Sequence, residues 1–284
     1  MSKENYLESS PDVIIAALNE EKGIGPTLTE ISQKINPNKV ILVDGHSHDR
    51  TVEIAKEFNW KVYPNTMGGI PNGANEAFRH VDSDFFISVE QDVILSRNWW
   101  DSIPQYMDDP FTACAQGIRV PTRQGLRILD EWQYGSPEKR KSLVSMDNNI
   151  FRTKVIKLLS GFPSICPVCT DTVLMRKMQL ETPYKWVIDP NVVSLHVRND
   201  LETVLEHQYK LSYMCARTKY CAQLERKSIV AMTRILLTSP FRGLQVALKQ
   251  RCPEIVWLYP LVRIRQLSLE LSFRTQWRMH STLK

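Results

Sequence analysis

The sequence predicts an α/β protein in which a mostly parallel, twisted sheet carries helices on both faces and a basic helical extension follows at the C-terminus. Short apolar segments alternate with helical patterns through roughly the first hundred residues. This alternation is typical of parallel strands that are buried on both faces and joined by helices. From residue 201 onward the pattern is helical and rich in Lys and Arg. We therefore expect one domain over residues 1–200 and a basic amphipathic helical tail over residues 201–284.

Strand and helix signals follow one another in order along the first part of the chain. The first apolar segment leads through a polar loop to a helical pattern that includes Leu28 and Ile31. The second segment ends in a turn at residues 44–47, before a helix that opens near Thr51. The predicted strands are 13–18, 40–43, 61–63 and 85–89, and the later helices are 49–58 and 72–80. Crossover helices of this kind return the chain to the same edge, so the strands should lie parallel.

The second half of the chain has a weaker pattern. It predicts helices near residues 155–159 and 172–178 and a strand at residues 192–195. Beyond residue 201 the helical pattern should break at Pro240 and Pro253, because proline lacks the N–H group that an interior helical residue donates.

Composition and charge limit the possible functions. The chain has 284 residues, of which 43% are hydrophobic and 24% charged, which excludes collagen-like and wholly disordered proteins. Its net charge is +5, but residues 201–284 carry 14 Lys or Arg against 5 Asp or Glu, whereas residues 1–200 carry 22 against 26. The acidic first part suits metal-assisted chemistry on small molecules and predicts no nucleic-acid partner.

The basic tail predicts an anionic membrane surface as a partner. Apolar and cationic residues recur at helical intervals in residues 229–237, 241–248 and 255–273, as in helices that lie in a membrane interface. Helices that pack on the first domain or form an oligomer are the alternative. The longest apolar run, residues 255–262, is far shorter than the roughly 20 residues that span a bilayer. With six Cys and no signal region, we expect a cytoplasmic protein, peripheral on the inner face of the cell membrane.

Polar and acidic side chains follow three of the predicted strands. Asn19 and Glu20 follow the first strand, Asp44 the second, and the triplet at residues 90–92, Glu-Gln-Asp, the fourth. Carboxyl ends of parallel strands share one edge of a sheet, so these residues should converge. Asp44 could accept hydrogen bonds from a base or ribose, and the acid pair could hold Mg or Mn, which prefer oxygen ligands. Taken singly, each of these residues could equally be a helix cap or the start of an Asx turn.

Together these segments resemble one known family. Residues 13–21 (VIIAALNEE), 40–51 (VILVDGHSHDRT) and 73–92 are similar to the three successive signatures of family 2 glycosyltransferases with the GT-A fold. The interval from Asn75 to Glu90 also resembles that family's distance between its Asn and its acid-x-acid motif. The resemblance is close over residues 11–100 and looser to about residue 200. With the basic tail, it suggests a membrane-associated prokaryotic member.

The resemblance implies a nucleotide-diphosphate sugar donor and a bound divalent cation. Asp92, with Glu90 and His196, is expected to hold Mg or Mn beside the diphosphate. The residues expected to bind the nucleotide are Ala17, Asn19, Glu20, Asp44, Asn75, Glu90 and Gln91. This chain departs from the family pattern at Glu90, where relatives have Asp, and at Ala74, where some relatives have Arg.

The resemblance also implies inversion at the anomeric carbon. Asp171 lies where the family has its catalytic base, although Thr170 replaces the first acid of that pair. A hydroxyl acceptor would need Asp171 to take its proton, whereas a lipid phosphate is already an anion and needs no base. We therefore expect a metal-dependent transferase that acts on a lipid-linked or glycan acceptor at the cytoplasmic membrane face. A non-catalytic protein of the same fold and a sugar-1-phosphate nucleotidyltransferase are the alternatives.

Overall fold

The alternating apolar segments of the sequence form one eight-stranded sheet. The computed structural model describes residues 10–141, 143–164, 170–197 and 228–281. The strands are β1 (Asp12–Ala17), β2 (Lys39–Asp44), β3 (Lys61–Pro64), β4 (Phe85–Val89), β5 (Val93–Ile94), β6 (Thr112–Pro121), β7 (Asn148–Arg152) and β8 (Lys185–His196). They lie in the order β3-β2-β1-β4-β7-β6-β8-β5.

Helices cover both faces of the sheet. They are α1 (Ile24–Lys34), α2 (Thr51–Glu57), α3 (Ile70–Phe78), α4 (Trp99–Ser102), α5 (Gln124–Tyr134), α6 (Thr153–Leu158), α7 (Thr170–Glu181), α8 (Ile229–Gln250) and α9 (Ile255–Ser281). Alternate residues of β1 point to opposite sides: Val13 and Ile15 pack with α1, and Ile14 packs with α3. The predicted α/β class, with helices on both faces of the sheet, is confirmed.

The sheet is parallel where the sequence pattern is clearest and mixed beyond that point. β1 lies between β2 and β4 and is parallel to both, and β3 is parallel to β2. β7 then runs antiparallel between β4 and β6, while β6 and β8 are parallel. β5 pairs antiparallel with the end of β8. The carboxyl ends of β1, β2 and β4 therefore share one edge. Because β7 is antiparallel to both β4 and β6, the strands β6 and β8 run in the direction of β4, and their carboxyl ends lie at that edge too.

β6 is the longest strand that the sequence pattern did not predict, and the helix α5 was not predicted either. Eight of the ten residues of β6 are buried, within a run that includes Gln116, Gly117 and Arg119, so no apolar alternation marks it. Its polar groups find distant partners: the Gln116 amide oxygen accepts from Trp186 Nε1 at 2.7 Å and from the backbone N–H of Ser145 at 3.1 Å. A buried polar group is tolerated once it is hydrogen-bonded, and those partners are visible only in the folded chain.

The predicted break at Pro240 is wrong, because α8 continues through it. An interior proline leaves the carbonyl four residues earlier without its N–H partner. Here that carbonyl belongs to Leu236, and it accepts a hydrogen bond from the buried hydroxyl of Ser239 at 2.6 Å. The predicted break at Pro253 is confirmed: α8 ends at Gln250, the next residue, Arg251, has a left-handed φ of 52°, and α9 begins after Pro253.

α8 and α9 form a hairpin that is attached to α5. Gly243 lets the two helices approach closely, since a Cβ at that position would lie 3.1 Å from the carbonyl oxygen of Ile255. Leu126 of α5 packs into a buried cluster with Leu258 and Tyr259 of α9. The expected domain boundary at residues 200 and 201, and the helical pattern predicted just after it, lie outside the described residues.

Replacing Ser239 tests how the helix accommodates its proline. We expect Ser239→Ala to lower the free energy of unfolding by about 1 kcal/mol, because it removes the buried hydroxyl that donates to the Leu236 carbonyl. In a Pro240→Ala background the cost should be much smaller, since an alanine at that position supplies the missing N–H. Urea denaturation of the four proteins measures both values. Equal costs in the two backgrounds would contradict this explanation, and Thr238→Ala, which removes an exposed neighbouring hydroxyl, is the matched control.

Candidate active site

Three loops meet at the carboxyl ends of β1, β2 and β4. The backbone N–H of Leu18, after β1, donates to the Gln91 side-chain oxygen, after β4, at 2.6 Å. The backbone N–H of Asn19 donates to the Ser47 hydroxyl at 2.9 Å, and the Asn19 side-chain oxygen accepts from the backbone of His48 at 2.9 Å. Asn19 has a left-handed φ of 51°, which Asn tolerates better than most residues. Sequence-distant segments are thus bonded into one rim.

Gln91 and Glu20 link the two outer loops of this rim. The Gln91 amide nitrogen lies 3.3 Å from Glu20 Oε2, and the Gln91 carbonyl accepts from the Thr27 hydroxyl at 3.0 Å. The backbone N–H of Glu20 donates to the Thr51 hydroxyl at 2.7 Å. Glu20, in the loop that follows β1, therefore contacts both the segment after β2 and the loop after β4. The sequence analysis expected the nucleotide at this position.

Asp44 and Ala17 are paired opposite each other in β2 and β1. The Asp44 carboxylate accepts the backbone N–H groups of His46 and Ser47 at about 3.1 Å, which is the Asx-turn arrangement that its position also allowed. Asp44 is half-buried, and Ala17 is buried with its carbonyl bonded to the N–H of Gly45 at 2.7 Å. Both residues lie on the rim that carries Asn19 and Glu20.

Asn75 has a structural partner in the loop that follows α6. Its amide nitrogen donates to the carbonyl of Phe162 at 2.8 Å, and its oxygen accepts the N–H of Phe162 at the same distance. This pair of bonds joins α3 to the loop that follows α6. An open pocket of about 450 Å³ lies beside it and is lined also by Lys157 and Gly161. In the part of the chain that the structure describes, no side-chain hydrogen bond joins Asn75 to another expected nucleotide residue, so its nucleotide role stays a prediction.

Glu90, Asp92 and His196 come together next to this rim. One potential ligand atom from each lies within 4.8 Å of the others. β5 follows Asp92 and pairs with the end of β8, which brings His196 Nε2 to 3.0 Å from Asp92 Oδ2. Asp92 and His196 are buried, and Glu90 is half-buried. Two carboxylates and one imidazole form a donor set that fits Mg²⁺ or Mn²⁺.

Arg119 is a residue of this cluster that the sequence analysis missed. Its guanidinium NH1 lies 2.8 Å from His196 Nδ1, and its Nε donates to the carboxylate of Asp147. Asp147 is fully buried and also accepts the Ser145 hydroxyl at 2.6 Å, whereas the Arg119 side chain is 28% exposed. An arginine in the middle of a buried strand is an informative signal, but β6 itself was not recognised from the sequence.

Burial and neighbouring charges shift two pKa values in the cluster. The pKa of His196 is lowered, first by burial and then by the Arg119 cation, against the opposing effects of Asp92 and Glu90. The pKa of Asp171, in the first turn of α7, is raised to about 6, mainly by burial. Hydrogen bonds from Thr172 oppose that increase, and the charge of Glu90 adds to it. Asp171 is therefore electrostatically coupled to the same cluster as Glu90 and Arg119.

Comparison with known proteins identifies the family. The model of the family described as "Glycosyl transferase family 2" matches residues 12–166, which is more than half of the chain. The protein therefore belongs to glycosyl transferase family 2. This membership favours the transferase over the two alternatives that the sequence analysis left open.

Curated relatives are similar over part of their length. The O-antigen chain rhamnosyltransferase RfbN of Salmonella typhimurium is 28% identical over an alignment of length 191, which covers 59% of this chain and 59% of RfbN. The 4,4'-diaponeurosporenoate glycosyltransferase of Staphylococcus haemolyticus is 35% identical over an alignment of length 101, which covers 33% of this chain and 27% of that enzyme. The chain thus spans between about a quarter and three fifths of the length of these two relatives.

Solved structures share the fold. The mannosyltransferase PcManGT from Pyrobaculum calidifontis, in complex with GDP-Man and Mn²⁺, has a TM-score of 0.59 and 14% identity; the match covers 96% of this chain and 80% of PcManGT. Glucosyl-3-phosphoglycerate synthase from Mycobacterium tuberculosis, in complex with Mn²⁺, UDP and glucosyl-3-phosphoglycerate, has a TM-score of 0.56 and 14% identity, over 75% of this chain and 80% of the synthase. The predicted GT-A fold is confirmed.

The raised pKa of Asp171 predicts a dependence of stability on pH. The native pKa of Asp171, about 6, exceeds the usual 3.8. Ionising this carboxyl therefore costs more free energy in the native state than in the unfolded chain. The resulting loss of stability grows as the pH rises from 3.8 to 6 and is complete above pH 6. Asp171→Asn removes this cost. We expect the substitution to raise the melting temperature at pH 7.5, and to raise it less at pH 5, where the native carboxyl is largely protonated.

Thermal unfolding of the wild type and the variant at both pH values measures this difference. Glu181→Gln, at an exposed carboxylate on the same helix, is the matched control and should show no such pH dependence. A variant that is less stable than the wild type at pH 7.5 would contradict the assigned pKa shift.

Proposed function

We propose that the protein is an inverting, metal-dependent glycosyltransferase that moves a sugar from a nucleotide-diphosphate sugar to a lipid-linked or glycan acceptor. The observation that carries this proposal is the cluster of Glu90, Asp92 and His196, whose ligand atoms lie within 4.8 Å of one another beside the rim. Solved relatives of the same fold bind Mn²⁺ together with a nucleotide or nucleotide sugar.

The nucleotide would lie along the rim of the sheet. In this proposal Asp44, Asn19 and Glu20 bind the base and ribose, with Ala17 and Asn75 nearby, and Gln91 fixes the loop that leads to the diphosphate. The hydrogen bond between Leu18 and Gln91 supports this arrangement, because it joins the nucleotide side of the rim to the acid triplet. Open parallel sheets commonly bind nucleotides at such carboxyl ends.

Asp92, Glu90 and His196 would hold Mg²⁺ or Mn²⁺ at the diphosphate. The bound cation would act as a Lewis acid that stabilises the negative charge of the departing nucleoside diphosphate. Arg119 adds a positive charge beside this position, and its guanidinium is paired with the buried Asp147. The chain thus supplies both the ligands and an additional cation where charge develops.

Asp171 is the proposed base for a hydroxyl acceptor. A carboxylate with a pKa near 6 is largely ionised at neutral pH and is a better proton acceptor than an ordinary Asp. The relatives named as an O-antigen chain rhamnosyltransferase and a 4,4'-diaponeurosporenoate glycosyltransferase support a glycan or lipid-linked acceptor. Since RfbN is a rhamnosyltransferase, a rhamnose donor is included among the candidates.

We also propose that the α8–α9 hairpin attaches the protein to the anionic cytoplasmic face of the membrane. Each helix exposes an apolar stripe on the side opposite its packed face, and we call these residues the hairpin stripe. They are Val230, Leu237, Phe241, Leu244 and Leu248 on α8 and Trp257, Leu261, Ile264 and Leu271 on α9. Among the described residues, no helix has the length and apolar character required to cross a bilayer.

The charge of the hairpin favours lipid over a second copy of the chain as the occupant of the stripe. Residues 228–284 contain nine Lys or Arg and two Asp or Glu. One of the two acids, Glu254, is already bonded to Arg123 and to the N–H of Gly125. Two such cationic surfaces would repel each other, whereas lipid phosphates would attract them.

The attachment point of the hairpin would bring an acceptor near the cluster. Pro121, the last residue of β6, pairs with His196, and Arg123 follows two residues later. Arg123 holds Glu254 at the start of α9 with N···O distances of 2.8 and 3.0 Å. The base of the hairpin is therefore held close to the strand end that carries His196, which supports delivery of a membrane-bound acceptor to the cluster.

Turnover tests the proposed site. A thermal-shift screen of nucleotide-diphosphate sugars with and without Mn²⁺ identifies the donor, since a ligand that binds the native state raises its stability. With that donor, Asp92→Ala should abolish metal-dependent release of the nucleoside diphosphate, whereas Asp101→Ala, at an exposed acid, should not. Full activity in Asp92→Ala would rule out the metal-dependent mechanism.

Asp171→Asn should lower turnover by about 10² with a hydroxyl acceptor.

Vesicle binding tests the proposed attachment. We expect the full chain to co-sediment with vesicles that contain anionic phosphatidylglycerol, and less with purely zwitterionic ones. Replacing two exposed stripe residues, Phe241→Asp with Leu248→Asp, should weaken binding about tenfold or more, because apolar burial is replaced by charge. Leu180→Asp, at an equally exposed leucine on α7, is the control. Unchanged binding by the double variant, or a dimer that the same substitutions dissociate, would contradict the proposal.

A further inference from the structure

Four side chains form a continuous hydrogen-bonded chain through the metal-ligand cluster. Asp92 contacts His196 Nε2 at 3.0 Å, Arg119 NH1 lies 2.8 Å from His196 Nδ1, and the Nε of Arg119 donates to Asp147. Both ring nitrogens of His196 are therefore engaged. The direction of each bond decides what the imidazole can bind.

The Arg119 contact fixes the position of the imidazole proton. A guanidinium has N–H donors and no acceptor, so His196 Nδ1 must present its lone pair to Arg119. A neutral imidazole carries one ring proton, which must then be on Nε2. The Nε2–H group points at Asp92, and in this tautomer Nε2 has no lone pair available for a cation. The histidine is thus positioned beside the other two ligands in a form that cannot bind metal through Nε2.

We propose that Arg119 is a latch that keeps His196 from ligating the cation until the guanidinium leaves Nδ1. This proposal rests on the proposed metal site of Glu90, Asp92 and His196. Once NH1 moves away, Nδ1 takes a proton from solvent and the Nε2 proton passes to solvent. The ring stays neutral and Nε2 presents its lone pair to the cation. Arg119 is a positioning residue in this scheme, because it acts through His196.

The surroundings of Arg119 fit a side chain that can change partners. Asp147 is fully buried, is fixed by Ser145, and holds the guanidinium through Nε. NH1 can therefore leave Nδ1 while the Nε bond to Asp147 remains. The Arg119 side chain is partly exposed, and a guanidinium binds phosphate oxygens strongly through paired N–H donors. A diphosphate at the cluster is the chemical group that would compete for it, which would couple donor binding to completion of the metal site.

A double-mutant cycle on Mn²⁺ binding tests the latch without turnover. Binding of Mn²⁺ alone to the full chain is measured at one pH by the electron paramagnetic resonance signal of free Mn²⁺. The proteins are the wild type, Arg119→Met, His196→Asn and the double variant. Met approximates the length of the Arg stem without donors, and the shorter Asn side chain does not reach the position of Nε2.

The latch predicts an unequal pattern. His196→Asn should leave the Mn²⁺ affinity of the wild type nearly unchanged, because the latched histidine contributes nothing. Arg119→Met should raise the affinity about tenfold or more when His196 is present, and clearly less in the His196→Asn background. Equal gains in both backgrounds would show that removal of a positive charge is the whole effect, and a large loss in His196→Asn alone would show that His196 already ligates the metal. Either result overturns the latch.

A second measurement does not depend on how well the variants fold. In the metal-free wild type, the ¹⁵N resonances of the His196 ring should show a protonated Nε2 and an unprotonated Nδ1. These resonances are assigned by their absence in His196→Asn. A protonated Nδ1 would overturn the proposal. Failure of the proposed metal site would give a different result. The proteins would then either not bind Mn²⁺ or bind it equally well after Asp92→Asn, whatever the tautomer of His196.

Discussion

The parallel pairing of β1 with both β2 and β4 is the constraint on which the candidate site depends. It brings the carboxyl ends of three strands to one edge, so residues near positions 19, 44 and 91 become neighbours. Side chain to backbone bonds then lock the loops together, with Gln91 bonded to Leu18 and Ser47 bonded to Asn19. A shift of one strand by a single residue would turn its side chains to the opposite face and separate these groups.

The second half of the sheet supplies what the parallel half lacks. β7 reverses direction between β4 and β6, and the parallel pair β6 and β8 then delivers Arg119 and His196 to the acids that follow β4. Buried charges are costly unless they are paired. In the cluster the Arg119 cation is bonded to the Asp147 carboxylate, and the His196 ring lies between Asp92 and Arg119 and contacts both. The burial of the Asp171 carboxylate is only partly compensated, and its pKa is raised for that reason. A raised pKa is consistent with the proposed role of Asp171 in proton transfer.

The α8–α9 hairpin shows how one pair of helices can serve two surfaces. Its inner side is closed by Gly243, by the cluster around Leu258, and by Arg263, whose guanidinium lies 4.0 Å from the Trp132 ring centroid. Its outer side keeps large apolar side chains in solvent; Phe241 is 79% exposed. The inner contacts account for the attachment to α5, whereas nothing within the described chain covers the outer side, which is the physical basis of the proposed membrane contact.

The parallel part of the sheet, the family and the candidate ligands Glu90 and Asp92 could be predicted from the sequence, because they depend on local apolar periodicity and on short motifs at strand ends. The sequence could not reveal β6, since the buried polar residues of that strand are stabilised by partners as distant as Trp186. It placed a helix break at Pro240 because the compensating bond from Ser239 cannot be inferred from propensity. The bond of Asn75 to Phe162 and the contact of Arg119 with His196 become visible only in the folded chain. Those contacts join residues 87 and 77 positions apart, and such contacts are set by packing, which no local pattern encodes.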